Sequence, residues 1–498
     1  MLPHLDILSC LLAVLCSIVI YFAASVLYNI FLHPLRSYPG PVLLRATRLG
    51  FCYRLIRGTL PYDILALHKT YGDVVRVAPN ELSYSNAAAW KDIMGHRTQG
   101  AQEFIKDPKF YSLSKAIPST IISSNGKEHA ALRRSVAHGF SERNLREQQP
   151  LIMKYVDLFI QRLHEHSKGD RPVDLNAWYN FTTFDIIGDL AFGEPFGCLD
   201  KSEYHPWIRG IFVSVRTGTI VQTANHYPLF KNLLFKLLAT KSAQEQRLQN
   251  FNRAKDKLER RMAAGGKEGR PDLIEGLLRR KDELGLSMDQ LVANSNTLII
   301  AGSETTATLL CGVTYYLLKH RDALKRLTEE IRSTFKYEDE IDVVSVNQLT
   351  YMLACLNEAL RVYPSVATAL PRVAPEEGAT ICGRFVPGGT TVTIHQYAIH
   401  RDERYFRKPS EFHPERFLDD PEFASDNREA FQPFHVGPRN CVGRNLAFVE
   451  MRLILARLIW NFDLSLADES EGWAEKQKIY ILWDKAPLMV HLNPVSRT

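Results

Sequence analysis

The chain has 498 residues, of which 45% are hydrophobic and 23% charged, and its 61 basic residues outnumber its 55 acidic ones. These fractions are those of an ordinary globular protein and exclude a disordered, collagen-like or coiled-coil chain. Since no long run of lysine or arginine concentrates the positive charge, nucleic acid is not an expected partner.

Residues 7–32 carry no charged side chain and are almost entirely apolar. As a helix they would extend about 39 Å, more than the roughly 30 Å of hydrocarbon in a bilayer. The stretch is longer than the apolar part of a signal peptide and lacks a positively charged start. It therefore predicts an uncleaved transmembrane anchor over residues 1–32. Because Arg36, Arg45 and Arg48 follow this anchor, we expect the bulk of the chain in the cytosol.

A proline-rich stretch, HPLRSYPGP, comes next and predicts a stiff hinge over residues 33–48. Residues 49–498 contain no internal repeat and no long linker, so we expect them to form one large domain. Strand-like segments lie near residues 73–85, 384–394 and 477–492, and the sequence between the first two is mostly helical. This pattern predicts a mainly α fold with small β-sheets at the two ends.

The longest predicted helix runs from Ser287, a suitable N-cap, to Lys319. Its centre is apolar on nearly all sides, which predicts a helix buried inside the protein. A second membrane span is disfavoured because Glu304, in the middle of the helix, would be costly in lipid. Glu304 and Thr305 place an acid beside an alcohol. Gly302 is expected to leave room where the helix passes close to a cofactor.

Near the C-terminus, the segment FHVGPRNCVG holds Cys441 directly before a helix-forming run. Its glycines permit a tight turn, and the backbone N–H groups at the start of a helix favour a thiolate. Phe434 can shield the sulfur from water. The motif predicts a cysteine presented to a metal, and the competing interpretation is a buried structural cysteine in a glycine-rich turn.

With these motifs in this order, nearly the whole chain resembles the cytochrome P450 superfamily. Phe434, Gly437, Arg439, Cys441 and Gly443 match the haem-binding signature of that family. The resemblance implies the cytochrome P450 fold, a haem b cofactor and Cys441 as the axial ligand of its iron. A thiolate ligand favours cleavage of the O–O bond of dioxygen.

Residues 301–306 match the oxygen-activation motif of the family. The resemblance therefore implies that Ala301 borders the haem, that Thr305 hydrogen-bonds dioxygen and that Glu304 passes protons. A cap-like polar cluster on an exposed helix is the alternative, and it fits poorly with the apolar flanks. The loop near residues 104–122 and the segment 366–370 are expected to line the substrate pocket with Ala301.

Glu358 and Arg361 share one helix face, a spacing that by itself usually marks a surface pair. In the family this pair joins the arginine of a later motif, matched here by Arg416 in PERF. The resemblance thus implies a structural Glu358–Arg361–Arg416 network that supports the haem-binding core.

Haem propionates need cationic partners. By resemblance these are Arg133, Arg372 and Arg439, together with His129, which stands where many members of the family have tryptophan. A histidine makes that hydrogen bond sensitive to pH. Each of these residues taken alone would more often be an ordinary surface charge.

The sequence contains no nicotinamide- or flavin-binding motif, so electrons are expected from a separate protein. The resemblance implies NADPH–cytochrome P450 reductase as the donor, with cytochrome b5 as an optional second one. It also implies dioxygen as co-substrate and a single-pass location in the endoplasmic reticulum membrane. Residues 205–238 correspond to the substrate-entry lid of the family, where an apolar substrate could arrive from the lipid, although ordinary core packing explains this segment equally simply.

The segments LYNIFLHPLRSYPGP and YGDVVRVAPNELSY resemble fungal secondary-metabolite oxygenases such as the isotrichodermin and trichothecene hydroxylases. That resemblance implies a terpenoid, polyketide or alkaloid substrate that is hydroxylated or epoxidised. Oxidative coupling, ring closure or desaturation with the same oxidant stays open. A reductase-independent isomerase and a non-enzymatic haem sensor or carrier are further alternatives, and the Glu304–Thr305 pair argues against both.

Overall fold

The computed structural model describes residues 7–97, 102–111, 118–169, 171–228, 231, 233, 241–263 and 272–496. Its first helix, Ile7–Leu27, continues as one π-helical segment, Tyr28–Leu32. Residues Ser9–Leu32 are long and apolar enough to cross a membrane, and none of this stretch is buried against the protein. An apolar helix that leaves its side chains uncovered is what an anchor requires, because lipid would cover them.

The proline-rich segment after this helix is packed onto the domain and is not a free elbow. Leu35 and Tyr38 are buried and belong to the apolar core around the main sheet. The Tyr38 hydroxyl donates to the carbonyl of Phe385 at 3.0 Å, and the Arg76 N–H donates to the carbonyl of Pro39 at 2.7 Å. The predicted hinge at residues 33–48 therefore forms part of the packed body.

Helices make up most of the described chain. After the first helix they are Val42–Ala46, Leu49–Arg57, Leu60–Tyr71, Ala87–Ala89, Pro108–Tyr111, Gly126–Ala137, Glu142–His166, Leu175–Phe192, Cys198–Lys201, Pro206–Asn225, Lys241–Ala263, Glu275–Arg279, Met288–Lys319, Arg321–Thr334, Thr350–Val362, Gln396–Ile399 and Arg444–Asn461. Many of their apolar faces meet in one large core cluster, while the helices Leu49–Arg57 and Leu60–Tyr71 pack in a separate, smaller one.

The helix Met288–Lys319, called the central helix below, confirms the prediction for this segment. The Ser287 side chain accepts from the Gln290 N–H, and the Gln290 side chain accepts in return from the Ser287 N–H, which together form a capping box. Most of the apolar centre of the helix is buried within the protein. The helix therefore runs through the core, as its all-round apolar sequence requires.

Short strands form small sheets. They are β1 Val74–Ala78, β2 Glu81–Tyr84, β3 Ile105–Lys106, β4 Val173–Asp174, β5 Arg372–Val373, β6 Ala379–Ile381, β7 Arg384–Val386, β8 Thr391–Ile394, β9 Phe462–Leu466, β10 Lys478–Ile479, β11 Trp483–Asp484 and β12 Met489–Pro494. The largest sheet has the order β1-β2-β8-β5-β3, and β4-β12-β9 form a second sheet. The remaining strands pair as β10-β11 and β6-β7.

The mainly α fold with small sheets is as predicted, but the strands are not divided between two ends. Strands β1 and β2, from the first part of the chain, share a sheet with β5 and β8 from the last part. The parallel β2–β8 pair makes this junction, with Glu81 opposite Thr391. Pairing between strands so distant in sequence leaves no local signal, so the sequence pattern could not predict it.

Candidate active site

Cys441 lies in a tight loop immediately before the helix Arg444–Asn461, called the C-terminal helix below. Gly437 in this loop has φ +74°, and an added Cβ would lie 2.0 Å from the carbonyl oxygen of Met94, so only glycine fits there. The Cys441 N–H donates to the carbonyl of Phe434 at 2.9 Å and closes the loop. The backbone of Cys441 is thus fixed on both sides.

The Cys441 side chain is exposed, although protein atoms surround it closely enough to desolvate the sulfur. The side chain can be both exposed and desolvated if its sulfur faces a cavity inside the protein. Desolvation is the largest effect and raises the pKa of the Cys441 thiol above its usual value, although the Gly443 N–H and the Arg133 and Arg444 guanidinium groups act in the opposite direction. The loop therefore supplies a hydrogen bond and positive charge that would stabilise a thiolate.

The central helix presents a polar and small-residue face at the same level of the fold. Ala301 is exposed, and Thr297 and Thr305, one turn on either side of it, are half-buried. Glu450 of the C-terminal helix contacts Thr306 of the central helix, so the two helices meet next to Thr305. Ala301, Thr305 and Cys441 consequently lie on neighbouring elements.

Gly302 lies against a neighbouring helix. An added Cβ would lie 2.8 Å from the Cδ1 atom of Ile187, on the helix Leu175–Phe192. The glycine therefore allows two core helices to pack closely, whereas Ala301 is the residue exposed on the open side of the central helix. The expectation that Gly302 makes room for a cofactor stays a prediction.

Glu304 forms a buried ion pair that the sequence did not reveal. Lys485, just after strand β11, contacts the Oε1 atom of Glu304, and neither side chain is more than 1% exposed. The Lys485 ammonium also donates to the Thr308 hydroxyl at 2.8 Å, and that hydroxyl lies 3.3 Å from the same Oε1 atom. The Oε2 atom is buried and has no hydrogen-bond partner among the described residues.

The structure does not join the side chains of Glu304 and Thr305. The Thr305 hydroxyl donates to the carbonyl of Ala301 at 2.6 Å, while the Glu304 carboxylate points to Lys485. Ser365 donates to the carbonyl of Thr305 at 2.8 Å and helps to hold this turn. The acid and the alcohol are neighbours in sequence but occupy different sides of the helix.

The residues expected at the haem propionates are close together. Arg133 donates to the backbone and side-chain oxygens of Asn440 at 2.6 and 2.5 Å. Arg439 lies 2.5 Å from Glu103, and Arg372 donates to the Tyr111 hydroxyl at 2.7 Å. With His129 and Lys106 these arginines form what we call the basic cluster: Lys106, His129, Arg133, Arg372 and Arg439.

His129 is buried, and its pKa is lowered to about 4 by desolvation and by the four cations of the basic cluster. It is therefore neutral near pH 7 and can serve as a hydrogen-bond donor without adding charge. The pKa of His129 lies well below its usual value of 6.5. The pH sensitivity expected from the sequence is therefore expected under acid conditions and not near pH 7.

Glu358, Arg361 and Arg416 form one fully buried network. Arg361 binds both oxygens of Glu358, at 2.8 and 2.7 Å, and Arg416 lies 3.3 Å from the same carboxylate. Arg361 also donates to the carbonyls of His400, Pro409 and Glu411. These bonds join the helix Thr350–Val362 to the loop that precedes the cysteine segment.

Lys485 and Lys106 are the residues that motif reasoning missed. Each stands beside an aspartate in a short stretch, WDKAP and FIKDP, so the local pattern does not single out the lysine. Lys485 contacts Glu304, which is 181 residues away, and this partner could not be identified from the pattern.

The predicted substrate channel is described only in part. Residues 112–117 of the expected lining loop, and residues 229–230, 232 and 234–238 of the expected lid, lie outside the described residues. The described part of the lid begins with the helix Pro206–Asn225, whose Trp207 is buried in the core. In the segment 366–370, Val366 and Leu370 are partly exposed.

The chain is similar to known proteins over most of its length. The family model described as Cytochrome P450 matches residues 41–492. The chain is 46% identical over 478 residues to the cytochrome P450 monooxygenase prhB of Penicillium brasilianum, which covers 96% of this chain and 97% of that protein. It is 47% identical over 485 residues to the cytochrome P450 monooxygenase tpeC of Talaromyces stipitatus, with 97% and 94% covered. It is 43% identical over 482 residues to an averantin hydroxylase of Dothistroma septosporum, with 96% and 90% covered.

Proposed function

The chain belongs to the cytochrome P450 family of monooxygenases, and from this premise we propose that it hydroxylates or epoxidises an apolar secondary metabolite. The family match confirms the resemblance inferred from the cysteine motif. The observation that carries the proposal is the exposed Cys441 sulfur, held by a fixed loop at the start of a helix that meets the central helix. One of the fungal relatives is named a hydroxylase, which supports hydroxylation as the first reaction to test.

The residues around Cys441 fit a haem b. A cysteine thiolate is an established ligand of haem iron, and the Cys441 residue is exposed in this structure. The Nε atom of Arg439 is buried without a hydrogen-bond partner among the described residues, which suits a ligand that carries carboxylates. At Gly443, φ is −88° and an added Cβ would meet no protein atom closer than 3.6 Å, so packing within the protein does not require glycine there.

In this proposal the Cys441 thiolate would hold the haem iron, and Phe434 would shield its sulfur from water. Ala301 and Gly443 would border the porphyrin. When bound, the haem would supply the cleavage of dioxygen, in which one oxygen atom enters the substrate and the other leaves as water, with two electrons and two protons consumed. Arg133, Arg372, Arg439 and His129 would bind the propionates.

Glu304 and Thr305 would deliver the protons. Lys485 and Thr308 hold the Oε1 atom of Glu304, which leaves the Oε2 atom as the one able to exchange a proton with a water molecule. Since the two side chains do not touch, we propose that such a water joins Glu304 to the Thr305 hydroxyl. Lys485 is then a positioning residue, because it fixes the acid without facing the substrate.

We propose NADPH–cytochrome P450 reductase as the electron donor, with cytochrome b5 as an optional second donor. The apolar helix Ser9–Leu32 supports a single-pass anchor in the endoplasmic reticulum membrane. Two of the arginines that follow it, Arg36 and Arg45, are linked by a hydrogen bond of 3.0 Å and keep positive charge near the end of the helix. Positive charge on this side supports a catalytic domain in the cytosol.

The proposal can be tested by comparing metabolites from cells with and without this gene. The accumulated precursor is then supplied to membranes that contain the protein, the reductase, NADPH and isotopically heavy dioxygen. A product heavier by one labelled oxygen atom would support hydroxylation or epoxidation. A product lighter by two hydrogens would assign coupling, ring closure or desaturation, and a product of unchanged mass formed without NADPH would assign an isomerase. The matched control is the Cys441→Ser variant.

A further inference from the structure

Lys106 is a buried cation that the proposed oxygen chemistry does not use. It lies on strand β3 and is 5% exposed. Its ammonium donates to the carbonyl oxygen of Ile121 at 2.9 Å, which is a neutral partner. A neutral acceptor offsets only part of the cost of burying an ammonium group, so this position calls for an anion.

The pairing of strands β3 and β5 places a second positive charge beside Lys106. In their antiparallel register Lys106 lies directly opposite Arg372, which is 3% exposed. Like charges placed opposite each other on two strands destabilise a sheet, and burial increases the repulsion. The bonds of the Arg372 guanidinium go to the Tyr111 hydroxyl and to the carbonyls of Leu370 and Pro371, and all of these are neutral groups.

The acidic groups nearby do not balance this charge. Glu103 lies 2.5 Å from Arg439, and it partly offsets the effect of the arginines on Lys106. Asp107, the next residue along the chain, is buried and accepts from the Thr391 hydroxyl and the Lys109 N–H. Desolvation and the positive charges of Arg439, Arg372 and Arg133 lower the pKa of Lys106 to about 7. Lys106 and the three arginines of the basic cluster thus outnumber these two acids.

There is also open space beside the cluster. A cavity of about 180 Å³ is lined in part by Glu103, Arg372 and Arg439. Arg372 and Arg439 therefore border a space that a ligand group can reach, and Lys106 lies opposite Arg372 on the neighbouring strand. A ligand with two carboxylates would supply the missing negative charge.

We propose that Lys106 binds a carboxylate of the bound porphyrin, together with its cross-strand neighbour Arg372. This inference rests on the proposed function, because haem b is the dicarboxylate expected at this site. Lys106 would then act with the four residues assigned to the propionates from their motifs, and the strand pair β3–β5 would be held together by the ligand as well as by its own hydrogen bonds.

The competing explanation is purely structural. The bond from Lys106 to Ile121 ties strand β3 to the segment before the helix Gly126–Ala137, and losing it could loosen the site without any contact to the ligand. The two explanations differ in one respect. A residue that binds carboxylates discriminates between haem and its dimethyl ester, whose propionates carry no charge, whereas a structural tie does not.

The experiment measures the release of porphyrin from the full chain to an excess of a haem-accepting apoprotein. Lys106→Met and Lys106→Arg are compared with the wild type, and Lys109→Met, an exposed lysine three residues away, is the matched control. Each protein is loaded either with haem b or with the iron complex of the dimethyl ester. We expect Lys106→Met to release haem about 10- to 100-fold faster, as befits the loss of a charge-assisted hydrogen bond. Release of the ester should stay within about twofold, and Lys106→Arg should largely restore retention of haem.

Two results would overturn the assignment of Lys106. One is equal acceleration for haem and ester, which would identify a structural tie, and the other is no change for either. If the wild-type chain takes up neither compound, the haem assignment fails and this inference fails with it. Should Lys106→Met not load, the same comparison is made with Lys106→Gln, which keeps a hydrogen-bond donor but no charge.

Discussion

Cys441 has a fixed backbone and an accessible sulfur, which is the combination that a metal ligand needs. We expect Cys441→Ser to abolish the thiolate-type absorption spectrum of the reduced carbon monoxide complex, because a hydroxyl is a much poorer ligand than a thiolate. Cys382→Ser is the matched control, since Cys382 is half-buried and bonded through its backbone to Asp92, outside the cysteine loop. A normal spectrum from Cys441→Ser would remove this residue from the role.

The Lys485–Glu304 pair decides how the acid on the central helix is held. We expect Lys485→Met to reduce the product formed per NADPH by about tenfold or more, with peroxide released instead, because the acid loses its fixed position. Lys485→Arg should retain most of the coupling, since it keeps a cation at the same place. The measurement is peroxide and product against NADPH consumed, with the substrate identified from the metabolite comparison.

Variants of two neighbouring threonines separate proton delivery from general damage to the helix. Thr305→Ala should uncouple like Lys485→Met, whereas Thr306→Ala should not. The Thr306 hydroxyl donates to the carbonyl of Gly302 and contacts the buried Glu450 of the C-terminal helix, so this variant reports damage to the helix contact alone. Normal coupling in both Lys485→Met and Thr305→Ala would reject the role proposed for the pair.

At the scale of elements, the Glu358 network joins the helix Thr350–Val362 to the loop before Cys441. We expect Glu358→Gln to lower the free energy of unfolding by about 3–5 kcal/mol, because it leaves the buried Arg361 guanidinium without its counter-charge, whereas Arg416 keeps its ion pair with Asp426. The measurement is denaturant unfolding, with yield of folded protein as a second readout.

Glu422→Gln is the control for this variant. Glu422 pairs with Lys408 at 2.6 Å on the surface, where solvent screens the charges, so little change is expected. If the two substitutions destabilise the protein equally, the buried network is not the element that holds this loop.

The same scale shows what local patterns leave out. The prolines over residues 33–48 predict a stiff hinge, and prolines stiffen a chain without preventing it from packing. Leu35 and Tyr38 pack against apolar partners in the sheet, and those partners come from far along the chain. The contact between Gly302 and Ile187 is likewise one that the sequence pattern did not reveal.

At the scale of the whole molecule, buried histidines predict how stability depends on pH. The histidines whose pKa is lowered to between about 2 and about 4 by desolvation include His68, His129, His205, His226, His395, His400 and His435. The unfolded chain binds protons at these residues below pH 6.5, whereas the folded chain stays neutral there until the pH is much lower.

The folded protein should therefore lose stability as the pH falls from about 6.5 towards 3, by up to about 1.4 kcal/mol per pH unit for each histidine that differs between the two states. Denaturant unfolding at a series of pH values measures this slope. His395→Gln should make the slope shallower, because both ring nitrogens of His395 are buried without a hydrogen-bond partner among the described residues. A stability that does not change between pH 6.5 and 5 would contradict the prediction.

The sequence by itself determined the family, the capped central helix and Cys441, because each depends on residues that are close together along the chain. The apolar period of residues 287–319 and the spacing of Phe434, Gly437 and Cys441 are local patterns of this kind. Local spacing can be recognised without knowing what packs against it.

Only the tertiary structure decided which distant charges meet. The ion pair of Glu304 with Lys485 spans 181 residues, and Lys106 is opposite Arg372 because strands far apart in sequence pair in one sheet. Burial then decides what these charges do, since a lysine that would be an ordinary surface group in water must find an anion once it is desolvated. Motifs indicated the candidate reacting centre, and the packing of remote elements placed the charges around it.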